Sequence, residues 1–108
     1  MKNIEMYLDS GGLAPFEKWL NALSLEYQAK IMAYVTRTAL GGCKSNIKPL
    51  KDGVFEIKID YGPGLRVYFG EDGKTIILLL IGGDKKTQKS DIKKAKKYWR
   101  DYEQNKKI

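Results

Sequence analysis

The sequence has no histidine, one cysteine and three prolines, and none of its apolar runs approaches the roughly 20 residues that cross a bilayer. Each shortage excludes something. Without histidine the commonest general base near neutral pH is missing, and a zinc cluster has too few ligands to draw on. Histidine-based hydrolases and metallohydrolases are therefore set aside, and no metal or cofactor is expected. Cys43 alone cannot close an intramolecular disulfide. The opening MKNIEMYLDS lacks the apolar core of a secretory signal, so the expected location is the cytoplasm, with no membrane partner.

What is present suits a soluble globular protein: 108 residues, 43% apolar and 31% charged, read as one domain over 1–108. The net charge of +7 is unevenly spread. Residues 84–108 hold ten Lys/Arg against four Asp/Glu, whereas residues 1–83 are nearly balanced at ten against nine. A basic block on a neutral body points to a polyanion or an acidic protein partner; a solvated helix face would look the same.

Residues 3–9 (NIEMYLD) alternate weakly and read as a first strand, ended by Ser10-Gly11-Gly12. Pro15 suits the first turn of a short helix carrying Phe16, Trp19, Leu20 and Leu23. Ser24 is a candidate N-cap for a second helix with Tyr27, Ile31, Tyr34, Val35 and Thr38 on one face, stopped by Gly41-Gly42. Residues 46–51, with Pro49, form an edge segment or the lead-in to the next strand. Residues 75–81 are continuously apolar and suit a central strand, which Gly82-Gly83 should break. A last helix, capped by Thr87 or Ser90, carries Ile92, Ala95, Trp99 and Tyr102 on a narrow stripe amid lysines. The expected class is α+β: a small, antiparallel-rich sheet, a helical hairpin on one face, and a basic C-terminal helix.

Between these lie VFEIKID and LRVYFG, which alternate in hydrophobicity around a glycine-rich turn. Matching faces pairs Ile59 with Val67 and Ile57 with Phe69 around the turn Tyr61 to Leu65. Lys58 then falls opposite Tyr68, and Asp60 opposite Arg66. One face becomes core. The other is expected to be a polar surface of Glu56, Lys58, Asp60, Arg66 and Tyr68.

The run LKDGVFEIKIDYGPGLRVYF followed by LLLIGGDKKTQKSDI resembles the RelE/ParE superfamily of toxins from toxin–antitoxin modules. It is most similar to the phage-derived, HigB-like group called addiction-module killer proteins. The resemblance spans about Ile47 to Ile92 and rests on Leu50-Lys51, the Asp60–Gly64 turn, Arg66-Val67-Tyr68 and Gly82-Gly83-Asp84-Lys85. It implies a RelE-like fold and a metal-independent endoribonuclease that cuts mRNA on the ribosome. The RNA's own 2′-hydroxyl attacks the neighbouring phosphate, and the protein orients groups and stabilises charge. A cognate antitoxin, of helix-turn-helix type with an acidic or apolar contacting segment, would hold it inactive. The same superfamily includes ParE-like inhibitors of DNA gyrase that do no chemistry, and the fold alone does not separate the two.

The resemblance puts the family's strand arginine on Arg66 and its post-strand functional residue in Asp84-Lys85-Lys86. As a site residue Arg66 clamps a phosphate through its planar fork; as a structural one it is the salt-bridge partner of Asp60. Lys85 stands beside it as a second charge stabiliser. Lys58, read as the neighbour of Tyr68, would lower that phenol's pKa and make either residue a proton carrier. Lys48, Lys51 and Lys86 are candidate phosphate contacts, Tyr61 a candidate exposed ring for stacking, and Lys93, Lys94 and Lys97 the binding charges of the last helix.

Overall fold

The computed structural model describes residues 1–106. Its elements run β1 (Asn3–Met6), α1 (Pro15–Asn21), α2 (Leu25–Ala39), β2 (Ile47–Pro49), β3 (Val54–Lys58), β4 (Arg66–Asp72), β5 (Ile76–Gly83) and α3 (Gln88–Asn105). This is an α+β arrangement with a mixed five-stranded sheet in the order β1-β5-β4-β3-β2. Only β1 and β5 run parallel. No helix among the described residues is long and apolar enough to cross a membrane.

Local chemistry accounts for the helices. Pro15 opens α1, and the Ser24 hydroxyl accepts the backbone N–H of Tyr27 at 3.2 Å, capping α2 as its sequence suggested. Phe16 and Leu20 of α1 and Ile31, Val35 and Ala39 of α2 bury against Ile57, Val67, Phe69, Ile77 and Leu79 on one face of the sheet. The residues 46–51 resolve into the short edge strand β2 and a turn.

Three expectations are corrected. First, Gly82 and Gly83 do not break the last strand but lie inside β5. Their missing side chains make room: a Cβ on Gly82 would overlap the Trp19 ring of α1, and one on Gly83 would overlap the Asp91 carboxylate of α3.

Second, the hairpin register differs by two residues. Ile57 pairs with Val67, Phe55 with Phe69, Glu56 with Tyr68 and Lys58 with Arg66. The turn has five residues as expected but starts earlier, because Ile59 N–H donates to the Leu65 carbonyl at 2.9 Å. Both of those side chains are buried. Leaving Leu65 in the turn would have cost its burial, so the pair Ile59–Leu65 closes the hairpin, and Gly62 and Gly64 take the positive φ that the tight loop needs. A two-residue shift preserves faces, which is why alternation could not reject it.

Third, the face of the hairpin read as a polar surface is covered. α3 lies across it, and Tyr68, Val54, Leu78, Leu80, Ala95 and Trp99 form a second core there. Glu56, Arg66 and Tyr68 are consequently buried, and only Lys58 and Asp60 of the five remain exposed.

Candidate functional site

At the end of the sheet where β3 stops and α3 starts, α3 no longer covers the strands completely. There an open cavity of about 320 Å³ is lined by Asn46, Lys48, Glu56, Lys58 and Asp60, among others. Asn46 fixes its rim by donating through Nδ2 to the Lys58 carbonyl at 2.8 Å and to Asp60 Oδ2 at 2.9 Å. Asp60 is thereby occupied by Asn46, and Arg66 pairs with Glu56 instead, Nε to Oε2 at 3.8 Å.

Arg66 starts β4 beside this cavity, 7% exposed. One terminal nitrogen donates to the Gly64 carbonyl at 2.5 Å, while Nε is buried without a hydrogen-bond partner among the described residues. Its cross-strand neighbour is Lys58, another cation. Two like charges directly opposite each other are destabilising unless an anion sits between or above them. Gly64 is also the point at which a third cation arrives: a Cβ there would lie 3.3 Å from an Arg66 terminal nitrogen and 3.7 Å from Lys85 Cβ. Lys48, opposite Glu56 on β2, adds a fourth.

The site thus sets Lys48, Lys58 and Arg66 around one buried carboxylate, Glu56, with the Lys85 side chain leaving its loop beside Gly64. Sequence reasoning put Glu56 on the right face and gave it no role. The available signal was an acid flanked by two core positions in a strand whose face also carried Arg66. Gln88 was missed as well; it stands in the quoted GGDKKTQKSDI run, and its Nε2 donates to Glu56 Oε2 at 3.0 Å.

Tyr68 does not meet the expectation placed on it. It lies opposite Glu56, not Lys58, and burial first and the neighbouring carboxylate second push its phenol well above the ordinary value. The hydroxyl is buried with no hydrogen-bond partner among the described residues. It keeps its proton at neutral pH.

The remaining predicted contacts scatter. Lys86 is exposed in the loop beside Lys85. Lys51 occupies the β2–β3 turn, at the opposite end of β3 from Lys58. Tyr61 is half-buried: its ring meets Tyr27 edge-on at 5.9 Å, with the Lys30 ammonium 4.9 Å from its centroid. Lys93, Lys94 and Lys97 are exposed on α3, and Lys97 lies by Tyr7 and Asp9, outside the cavity. Among the described residues no three His, Cys, Asp or Glu side chains are grouped to hold a metal ion.

Two comparisons bear on kinship. Residues 18–100 match the family model described as phage derived protein Gp49-like (DUF891). An uncharacterised protein of Haemophilus influenzae is 45% identical over 82 residues, covering 75% of this chain and 82% of that protein. The matched stretch includes both helices of the hairpin face in whole or part, the whole β2–β5 region and most of α3. This chain belongs to the Gp49-like family of phage-derived proteins.

Proposed function

We propose that the protein is the toxin of a toxin–antitoxin module, a HigB-like relative of the RelE/ParE toxins, and that it cleaves mRNA on the ribosome with side chains alone. The observation that carries the reading is Arg66: a buried guanidinium whose Nε has no hydrogen-bond partner among the described residues, facing Lys58, a residue that lines the open cavity, across the hairpin. A phosphate diester is the anion that this arrangement suits, because a planar fork binds two of its oxygens at once.

The chemistry follows from the groups at hand. Glu56, the carboxylate at the centre of the cations, takes the proton from a 2′-hydroxyl. The freed oxygen attacks the adjacent phosphorus; the O2′–P bond forms and the P–O5′ bond breaks. Arg66 and Lys85 stabilise the charge that builds on the non-bridging oxygens. The Lys58 ammonium, exposed at the cavity, supplies a proton to the departing O5′. Products are a 2′,3′-cyclic phosphate and a 5′-hydroxyl. Tyr68, protonated and buried, serves as a donor at most. Lys48 and Lys86 contact flanking phosphates. An antitoxin that silences the protein would cover this cavity, and an acidic segment would suit its charge.

The test is incubation of the purified protein with translating ribosomes and a defined mRNA, with cuts mapped by primer extension. Fragments ending in 2′,3′-cyclic phosphate are expected, with a 2′-O-methyl group at the cut nucleotide abolishing that cut. RNA that stays intact on translating ribosomes would overturn the reading.

The lysines of α3 supply affinity in this scheme and no chemistry. Neutralising Lys93, Lys94 and Lys97 together is expected to weaken RNA or ribosome binding and to flatten its salt dependence, each lost contact to a single-stranded RNA phosphate removing about 0.7 of a unit of the log–log slope. A triple variant with the parent's affinity and salt slope would show that these charges only solvate the helix.

A further inference from the structure

We infer that Gln88 is a positioning residue for this site: its side-chain amide fixes the Glu56 carboxylate, and the fixed carboxylate holds the Arg66 guanidinium in place for a phosphate. The role as stated rests on the ribonuclease reading, but the contact on which it depends does not.

Glu56 sits among several charges. Lys58 shares its strand and face, Lys48 is opposite it on β2, Tyr68 is opposite it on β4, and Arg66 Nε lies 3.8 Å from its Oε2. A carboxylate bordering an open cavity could turn outward to either exposed lysine. Gln88 prevents that by donating to Oε2 at 3.0 Å, the same oxygen that lies 3.8 Å from Arg66 Nε. An amide is suited to this task because it donates without charge. A lysine in its place would neutralise Glu56 and compete with Arg66 for it.

Gln88 is itself held firmly. It is the first residue of α3, and the turn before it is tied by side chains. Asp84 Oδ1 accepts the backbone N–H groups of Lys86 at 2.8 Å and Thr87 at 3.2 Å. Thr87 Oγ1 accepts the Asp84 N–H at 3.3 Å and donates to the buried Asp91 carboxylate. Asp91 in turn rests on Gly83, where a side chain would overlap it, and Gly83 is the cross-strand partner of Arg66. The ring of contacts closes on the residue that it positions. Gly83, Asp84, Thr87, Gln88 and Asp91 thereby form one unit, and Lys85 is displayed from the same loop.

Two measurements test the inference. In kinetics, Gln88→Met keeps length and helix preference while removing the donor; kcat is expected to fall about tenfold with KM changed by less than about twofold, the scale of loss when a supporting hydrogen bond is removed. Gln88→Glu, which sets a second carboxylate against Glu56, should be slower still. In a Glu56→Gln background, Gln88→Met should add less than about a twofold further loss, since its effect passes through Glu56. In NMR of the free protein, the Arg66 Nε–H signal should shift on adding an uncleavable 2′-O-methyl RNA tetranucleotide, and Gln88→Met should abolish that response. Multiplying losses in the double variant, or a Gln88→Met protein whose Arg66 signal responds as the parent's does, would overturn the inference. If the parent cuts no RNA, the ribonuclease reading falls, and the Arg66 signal alone decides whether Gln88 positions it.

Discussion

Replacing Arg66 with alanine is expected to lower RNA cleavage by at least about 10²-fold, the loss seen when one preorganised donor to a developing oxyanion is removed. Unlike a surface substitution it should also destabilise the protein. The side chain is buried and paired with Glu56, whose own side chain is 6% exposed, so truncation leaves a buried carboxylate that has lost its buried counter-charge and keeps the uncharged Gln88 donor. Losing one member of a buried ion pair costs about 3 kcal/mol or somewhat more. The two effects separate in a double variant. Arg66→Ala combined with Glu56→Gln removes the orphaned charge and should recover much of the stability, read by urea unfolding, while remaining inactive. Arg66→Lys retains a charge but loses the planar fork, and should restore only part of the rate. Parent-like cleavage by Arg66→Ala would reduce Arg66 to a structural partner of Glu56 and move the site elsewhere.

The largest effect on folding is expected at Trp99. This ring is 5% exposed, covers Gly53 and Gly70 so closely that a Cβ at either would overlap it, and stacks on Tyr102 with centroids 5.6 Å apart. Trp99→Ala empties the centre of the core beneath α3, a change that typically costs about 3–5 kcal/mol. For a domain of this size that corresponds to a fall in Tm of roughly 12–20 °C. Because α3 also carries Gln88, cleavage should decline at temperatures where the variant is still largely folded. Gly70→Val attacks the same contact from the other side by overpacking. A loss under about 1 kcal/mol in calorimetry or urea unfolding of Trp99→Ala would mean that α3 is not held to the sheet by this ring.

Both predictions depend on α3 lying over the hairpin. From the sequence, Arg66, Glu56 and Tyr68 share a polar face with Lys58 and Asp60, and that face looks solvated. Alternation distinguishes the two sides of a strand but does not say what covers each. A helix whose apolar stripe is as narrow as Ile92, Ala95 and Trp99 gives little warning that it buries charged residues beneath its first turn. The result is a site in which the same residues that looked exposed are enclosed, and so can be preorganised.

Secondary structure was legible because it is set locally. Pro15 and Ser24 start helices by backbone geometry and hydrogen bonding within a turn, and the unbroken apolar run of β5 requires cover on both faces. The choice of Arg66 and Lys85, made on resemblance, named residues that the fold brings to one loop at Gly64. Other features depended on contacts between distant segments. The hairpin register turned on burying Leu65 against Ile59, and the glycines of β5 were needed by Trp19 of α1, far back along the chain, and by Asp91 of α3 once that helix folds onto the sheet. Glu56 acquired its partners Arg66 and Gln88 only when β4 and α3 closed over it, with Gln88 lying 32 residues away. A two-residue slip leaves inside and outside unchanged, so periodicity is blind to it, whereas the side-chain packing of the folded chain tolerates only one register.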